Sequence, residues 1–489
     1  MVDCEFRLQS IMMGRQQPQK ELFSYQIDLD RRVRADNPLR QVAALMDFSF
    51  ARAEVESTYG HNGNVSVDPA VILKMMFLLF FDNVGSERQL MEILPERLDY
   101  LWFLGYGLND SVPNHSVLSK ARARWGGALF EKLFVRTVAA CVSAGWVDGK
   151  KIHMDGSLIA AHASNKSIVD GPPELIAALR QACREQVAKL EEPVPEPSAG
   201  GAANQTHLSR TDPDAELARR PNQPSRLSYK QHRVVDNTHG VITAQHTTGG
   251  SVAEDSQLFG LIQEHQQNTG VAVETVVADS QYGTAENFLV CADQGIRAHM
   301  ADFKVTHRGG AQRGVYFGPE EFVYDVANDT YRCPAGETLR RYQRRSHKPA
   351  WEYKAPRRLC AQCALRAKCT ASKSGRRIQR FERQEELDRM RARSNFPAAR
   401  KDRRRRQHLM EGSFADATNS HGFKRSRWRR LWRQQIQNDL IAACQNVRIL
   451  LRNWRPRLAA SALALPLPTT RHTTSANPFL VMNQPWSFN

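Results

Sequence analysis

No stretch of this 489-residue chain is apolar for long enough to cross a bilayer. The longest apolar run, Pro69 to Phe81, is interrupted by Lys74 and stops short of the roughly 20 residues that a spanning helix needs. The N-terminus has neither the apolar core nor the small-residue cleavage site of a signal peptide, so a soluble cytoplasmic protein with no membrane partner is expected. Acidic residues are in deficit. Against 68 Lys+Arg there are 51 Asp+Glu, giving net charge +17, and the pI is about 9.7. That balance points to a polyanionic partner, with nucleic acid first. The arginines come in blocks, Arg403 to Arg406 and Lys424 to Arg433, and blocks favour phosphate binding over mere solubility. A disulfide scaffold is excluded by the setting. The nine cysteines of a cytosolic chain are expected as free thiols or metal ligands.

What is present is ordered around Lys150-Lys151-Ile152-His153-Met154-Asp155-Gly156-Ser157-Leu158-Ile159, which reads as a short strand with a carboxylate near its end. A carboxylate in a buried strand costs several kcal/mol unless charged partners hold it there. Two later places offer company: Val276-Val277-Ala278-Asp279, an apolar strand ending in Asp, and Arg406-Gln407-His408-Leu409-Met410-Glu411, in a basic helical context. Three carboxylates converging from distant segments suit a divalent metal, and oxygen-only ligands suit Mg2+ or Mn2+. Ser157 and Ser280 have no evident base partner at usable spacing, which disfavours a serine nucleophile. His153 and His162 flank the first aspartate and read as packing or surface residues.

The length predicts two or three domains. Residues 1–148 read as a helical domain. Asp68 and Pro69 start a helix with an apolar stripe, and Ser116 starts a basic helix carrying Lys120, Arg122 and Arg124. Such helices suit either a helix-turn-helix DNA reader or plain packing. Residues 149–307 read as strand, hairpin, helix, strand, helix and strand, an α/β mixed sheet with helices on its faces. Within it, 165–227 is an insertion that includes a helix from Pro172 and a linker rich in Pro, Gly, Ala and Asn from Pro193 to Ser225. Residues 308–396 form a cysteine-rich insertion. Cys333, Cys360, Cys363 and Cys369 supply four thiolates, the number a closed zinc site needs, with four free thiols as the alternative. Residues 397–455 return to helix that covers the sheet, and 456–489 read as a disordered tail. Trp428 and Trp432, set among arginines, suit either base stacking or sealing a helix against the sheet.

Asp155-Gly156-Ser157, Ala278-Asp279-Ser280-Gln281-Tyr282-Gly283 and Met410-Glu411-Gly412-Ser413-Phe414-Ala415-Asp416 resemble the three acidic motifs of bacterial insertion-sequence DDE transposases. Asn37-Pro38-Leu39, Asp68-Pro69 and Leu101-Trp102-Phe103-Leu104-Gly105 resemble the family's leader domain, and one branch carries a four-cysteine insertion before the glutamate. The resemblance implies a ribonuclease-H-like catalytic fold in which Asp155, Asp279 and Glu411 hold two Mg2+ or Mn2+ ions. It implies cleavage of double-stranded DNA at the element's terminal repeats, joining to target DNA, and a homodimer on DNA. Many relatives carry an arginine four residues before the glutamate and a lysine six or seven after it. Here those places hold Gln407, Ala417 and Thr418, so phosphate contacts are expected from Arg405, Arg406, Lys424, Arg425 and Arg427 instead. The rival readings are a two-metal nuclease that cleaves without joining and a decayed or domesticated DNA-binding protein without catalysis.

Overall fold

The structure is a computed structural model that describes residues 28–60, 65–189, 201–219, 223–302, 316–345 and 349–453. The tail 456–489, Cys4 and part of the linker therefore lie outside the described residues. The N-terminal part is helical: α1 (Leu29–Arg32), α2 (Pro38–Leu45), α3 (Phe50–Val55), α4 (Pro69–Phe81), α5 (Glu87–Ile93), α6 (Leu98–Leu104), α7 (Ser116–Trp125) and α8 (Ala128–Ser143). Helix α4 starts as the sequence predicts, with the Asp68 side chain accepting from Ala70 N–H and Pro69 in the first turn. Its sequence is apolar all round, so it is buried all round and not by one stripe. The exception, Lys74, turns its ammonium to the Phe103 carbonyl at 2.8 Å.

The main sheet runs through β1 (Lys151–Ala160), β4 (Glu216–Ala218), β5 (Arg226–Asp236), β6 (Ile242–Gly249), β7 (Thr275–Val277) and β8 (Arg297–His299). Its order is β4-β5-β1-β7-β8, with β6 also on β5. Strands β5 and β6 form the expected hairpin, antiparallel to each other, and β5 is antiparallel to β1. Strands β7 and β8 run parallel to β1, so α11 (Leu258–Thr269) and α12 (Ala285–Asp293) serve as crossovers. An antiparallel meander followed by parallel crossover strands is the ribonuclease-H-like mixed sheet. Strand β1 is longer than its sequence suggests. Its ten residues place Asp155 in the middle and not near the end, because β5 pairs with it from Ile152 to Ala160.

The segment from Pro193 to Ser225 is not wholly a linker. After β2 (Ile168–Asp170) and α9 (Pro173–Lys189), residues 201–219 carry α10 (Ala202–Thr206), β3 (His207–Ser209) and β4. Buried Asp212 there accepts from the Tyr229 hydroxyl at 2.7 Å and from Arg430 N–H at 3.0 Å, which ties the segment to the core. Its Pro and Asn content suggests solvent, whereas its few polar bonds decide otherwise.

The insertion before the last helices holds a second, all-antiparallel sheet. Its strands are β9 (Val323–Asp325), β10 (Thr330–Arg332), β11 (Thr338–Arg344), β12 (Ala350–Lys354) and β13 (Arg377–Phe381), in the order β13-β12-β11-β10-β9. A short helix α13 (Arg357–Ala361) lies between β12 and β13. Then come α14 (Gln384–Ser394), the 25-residue α15 (Pro397–His421) and α16 (Leu431–Asn453). Helix α16 is buried on several sides. Asn446 bonds both the backbone of Ile242 in β6 and Thr137 in α8, and the Cys444 thiol faces the Phe77 carbonyl in α4. It thus joins the sheet to the N-terminal helices.

Candidate active site

Strands β1 and β7 pair in parallel with Ile152 opposite Val276 and His153 opposite Val277. Two residues further along each chain stand Asp155 and Asp279, so the register carries both carboxylates to one level at the end of the paired stretch. Asp155 Oδ1 accepts from Gly156 N–H at 2.8 Å, and its Oδ2 accepts from Arg406 of α15 at 2.7 Å. Burial pushes the Asp155 carboxyl upward, opposed by the Arg406 charge and reinforced by Asp279. Asp279 Oδ1 accepts from Gln281 N–H at 2.8 Å, a turn that stops the strand.

The third carboxylate at this place is Glu254. It begins the short turn after β6, and ligating oxygens of Asp155, Glu254 and Asp279 all lie within 4.8 Å of one another. Among the described residues this is the group of three or more metal-type side chains so closely drawn together. Burial, with Asp279 and Asp155 adding to it and Lys230 opposing, raises the Glu254 pKa to about 7. Lys230 of β5 stands 3.5 Å from the Glu254 carboxylate and donates to the Val252 carbonyl at 2.8 Å. Position 156 is glycine for a close approach: a Cβ there would come within 2.9 Å of the Glu254 carboxyl carbon. Beside the carboxylates, an open groove is lined by Ser157, Arg219, Lys230, Glu254, Gln281 and Arg391.

Glu411 is not part of this group. It is exposed on α15 and its Oε1 accepts from Gln407 at 3.0 Å. The helix meets the sheet through Asp402, Arg406, Met410, Ser413 and Ala417. At about 100° per residue these share one face, and Glu411 falls roughly 140° around from its centre. Asp402 accepts from Lys151 at 2.9 and 3.0 Å and pairs with His299 at 2.8 Å. Burial works against its charge, but those two partners hold its pKa below the usual carboxylate value. Buried Arg233, opposite Asp155 in β5, donates to Ser413 at 2.7 Å and to Gln445 of α16 at 3.0 Å.

The basic residues divide. Arg406 is taken up by Asp155; Arg405 donates to the Asn237 side chain at 2.8 Å and its carbonyl at 2.6 Å while remaining exposed. Lys424 reaches the Ser157 hydroxyl at 2.6 Å, and Arg425 is exposed beside the edge of β1. Arg427 is turned inward to Val84 and Asn83, lies over Phe80, and its pKa is lowered by burial to about 10. Trp428 packs edge-on to Phe80 under the Arg122 guanidinium, and Trp432 is buried, so both seal the helix and do not face bases. Arg122 itself is buried against Glu87, which removes it from any DNA-reading face of α7. His153 is a buried packing residue whose Nε2 meets Asn237 at 3.0 Å, and His162 is exposed.

Cys333, Cys360, Cys363 and Cys369 line one small apolar cavity at the edge of the second sheet. Burial foremost, with the three other thiols adding, raises the Cys369 pKa against the pull of Arg376. The four side chains share a place, although their sulfurs are not drawn together as tightly as the three carboxylates.

Sequence reasoning missed Glu254 and Lys230. A glutamate before a short helix carries no signal beyond a first-turn acid, and only the β5–β6 hairpin brings it over Gly156. Tyr282, which suits base stacking as well as packing in the sequence, is fully buried.

Comparison with curated proteins gave no match. Two family models match. A transposase domain (DUF772) covers residues 27–124, the helical part through α7, and a transposase DDE domain covers residues 332–451, from β10 through α16 and including Glu411. No helix among the described residues is long and apolar enough to cross a membrane. Together with the mixed sheet and the acidic group, the two matches support an insertion-sequence DDE transposase.

Proposed function

We propose that the protein cuts DNA at the ends of its own element and joins the freed ends to target DNA, using Asp155 and Asp279 and, on its motif alone, Glu411 as the catalytic carboxylates. The observation that carries this reading is the meeting of Asp155 and Asp279 on adjacent parallel strands, beside a groove lined by both basic and acidic side chains. The donor set fits Mg2+ or Mn2+: carboxylate oxygens from three segments, crowded enough to repel one another without a cation between them. A divalent ion bound there supplies positive charge to the attacking and leaving oxygens of phosphoryl transfer.

The residues of the chain do the positioning. Arg406 and Lys230 stand beside the carboxylates, each able to exchange its carboxylate partner for a phosphate oxygen of DNA. Lys424 and Ser157 continue that line along β1, and Arg405 and Arg425 extend it across the exposed surface. Water attacks phosphorus, the bond to the 3′ oxygen breaks and that oxygen leaves as a hydroxyl. The same hydroxyl then attacks a target phosphate, so one centre serves both steps without a covalent enzyme intermediate. Two ends must meet for joining, which calls for a homodimer on DNA. A cytoplasmic setting and the domain division 1–148, 149–307, 308–396 and 397–455 belong to the same proposal. So does structural Zn2+ on Cys333, Cys360, Cys363 and Cys369, whose side chains share one cavity.

The test uses labelled DNA bearing the element's ends with Mg2+, comparing wild type, Asp155→Asn and Glu411→Gln. Cleavage and joining by wild type alone is the expected result. Cleavage without joining, even from pre-nicked ends, supports the nuclease reading, and tight binding without turnover in all three supports the non-catalytic one.

A further inference from the structure

We infer that one face of the second sheet carries DNA: Arg340, Lys354 and Arg377, aligned across β11, β12 and β13, hold successive phosphates of a strand that leads into the active-site groove. The inference rests on the proposed action on DNA, but binding alone tests it.

The register makes the row. Arg340 stands opposite Lys354, and Lys354 opposite Arg377, so all three side chains leave the same face of neighbouring strands about 5 Å apart. Like charges directly opposite one another weaken a sheet. On the other face, where Trp351 and Tyr353 lie, the arginines are matched by acids: Arg341 by Asp329 at 3.1 Å, Arg344 by Glu382 at 2.8 Å and Arg380 by Glu385. The row is not matched in this way. Arg377 shares Glu352, at 3.2 Å, with Arg345, and among the described residues Arg340 and Lys354 have no ion pair. Asp325, which continues the row on β9 through Thr330, is turned to Ala327 and Asn328. The surplus charge calls for an anion from outside.

The shape of the face says which anion. It is an open sheet with no enclosure for a small ion, and its cations are spread over about 10 Å, a length that about three phosphates of one duplex strand cover. Tyr342 stands among them. It is 55% exposed at the bulge of β11, with Lys354 Nζ 5.0 Å and Arg377 Cζ 5.8 Å from its ring centre. An aromatic surface left in water beside cations favours a nucleotide chain over free phosphate.

The face also leads to the right place. Residues 377, 379 and 381 of β13 alternate onto it, and Phe381 lines the groove that Ser157, Lys230 and Glu254 also line. Arg377 is four residues back, roughly 13 Å along the strand. About four nucleotides of a duplex strand span that distance.

The experiment is a salt series of binding isotherms for full-length protein on duplex DNA bearing the element's ends. It compares wild type, Arg340→Ala, Lys354→Ala, the two combined, and Arg344→Ala from the opposite face. Each of the first two should lower the slope of log K against log salt by about 0.9 and the combination by about 1.8, whereas Arg344→Ala keeps the wild-type slope. Melting temperatures of Arg340→Ala and Lys354→Ala should equal or exceed that of wild type, since each relieves repulsion between opposed cations, so misfolding does not account for the loss. Trimming the duplex on one flank should erase the difference between wild type and the double variant once about four base pairs beyond the groove are gone. A double variant with the wild-type slope, or a difference that survives trimming of both flanks, overturns the inference. A lowered slope in protein that neither cuts nor joins sinks the transposition reading and leaves this surface standing. Cutting and joining by wild type, with the slope unaltered in the double variant, does the reverse.

Discussion

Asp155 sits where burial and charge pairing oppose each other, and the same opposition recurs at several acids of the core. Glu264 on α11 is the most readily tested. Burial raises its pKa to about 7 from 4.5, against the hydrogen bond that it accepts from Gln245 N–H at 3.1 Å. Between those two values the unfolded chain has lost the proton while the folded one keeps it. Stability from this group is thus highest at acid pH, falls as pH rises through the window and levels off above about 7. Glu264→Gln keeps an acceptor for Gln245 and removes the titration. Relative to wild type it should gain up to about 3 kcal/mol between the acid and neutral ends of that window, measured by urea unfolding at a series of pH values. A constant difference across the series would show that Glu264 ionises freely in the fold. At this scale the sequence is legible only in part. Asp155 and Asp279 stand out because an acid in an apolar strand is costly and needs a reason. Glu254 and Arg233 do not stand out, since nothing local separates a glutamate in a turn from a surface acid, or a strand arginine from a solvated one. Their roles come from partners far along the chain, Asp155 and Asp279 for one and Ser413 and Gln445 for the other.

Helix α15 and the cysteine-bearing sheet show how differently two neighbouring elements disclose themselves. The helix is legible as a basic helical segment, yet the face it turns to the sheet is set by a few bonds: Asp402 to Lys151, Arg406 to Asp155, Ser413 to Arg233. That choice of face directs Glu411 outward, which its motif could not disclose. The second sheet escapes sequence reading because its strands are short and basic, and β11 buries only Leu339 of its seven residues. A strand with so little buried surface lacks the period-2 alternation that signals one. Its small core of Phe322, Tyr331, Leu339, Tyr353, Ala355 and Ile378, flanked by cysteines, is the kind that metal commonly completes. Purified protein should carry about one equivalent of zinc. Cys363→Ser should lower that below about half an equivalent, and a chelator should lower the melting temperature of wild type more than that of the variant. Zinc below half an equivalent in wild type, prepared without chelator, would leave four free thiols.

For the molecule as a whole, net charge +17 announces a polyanionic partner, but composition does not say which cations reach it. Packing makes that division. Arg122 and Arg427 are spent inside, one against Glu87 and Trp428, the other on carbonyls of the N-terminal helices, where it helps join those helices to the catalytic sheet. Arg425, two residues before Arg427, is exposed at the edge of β1. The two arginines should therefore separate under substitution. Each lost phosphate contact lowers the slope of log K against log salt by roughly 0.9 on duplex DNA. Arg425→Ala is expected to lower that slope by about 1 and leave the melting temperature unchanged, because an exposed side chain contributes little to folding. Arg427→Ala should do the opposite, leaving the slope of the folded fraction intact. Its melting temperature should fall by several degrees, as carbonyls of Val84 and Leu79 and the face of Phe80 lose a buried partner. Binding isotherms on end DNA across a salt series, with melts of the same samples, decide between them. Equal loss of slope in both variants would mean that Arg427 reaches phosphate, and that the joint between the helices and the sheet opens when DNA binds.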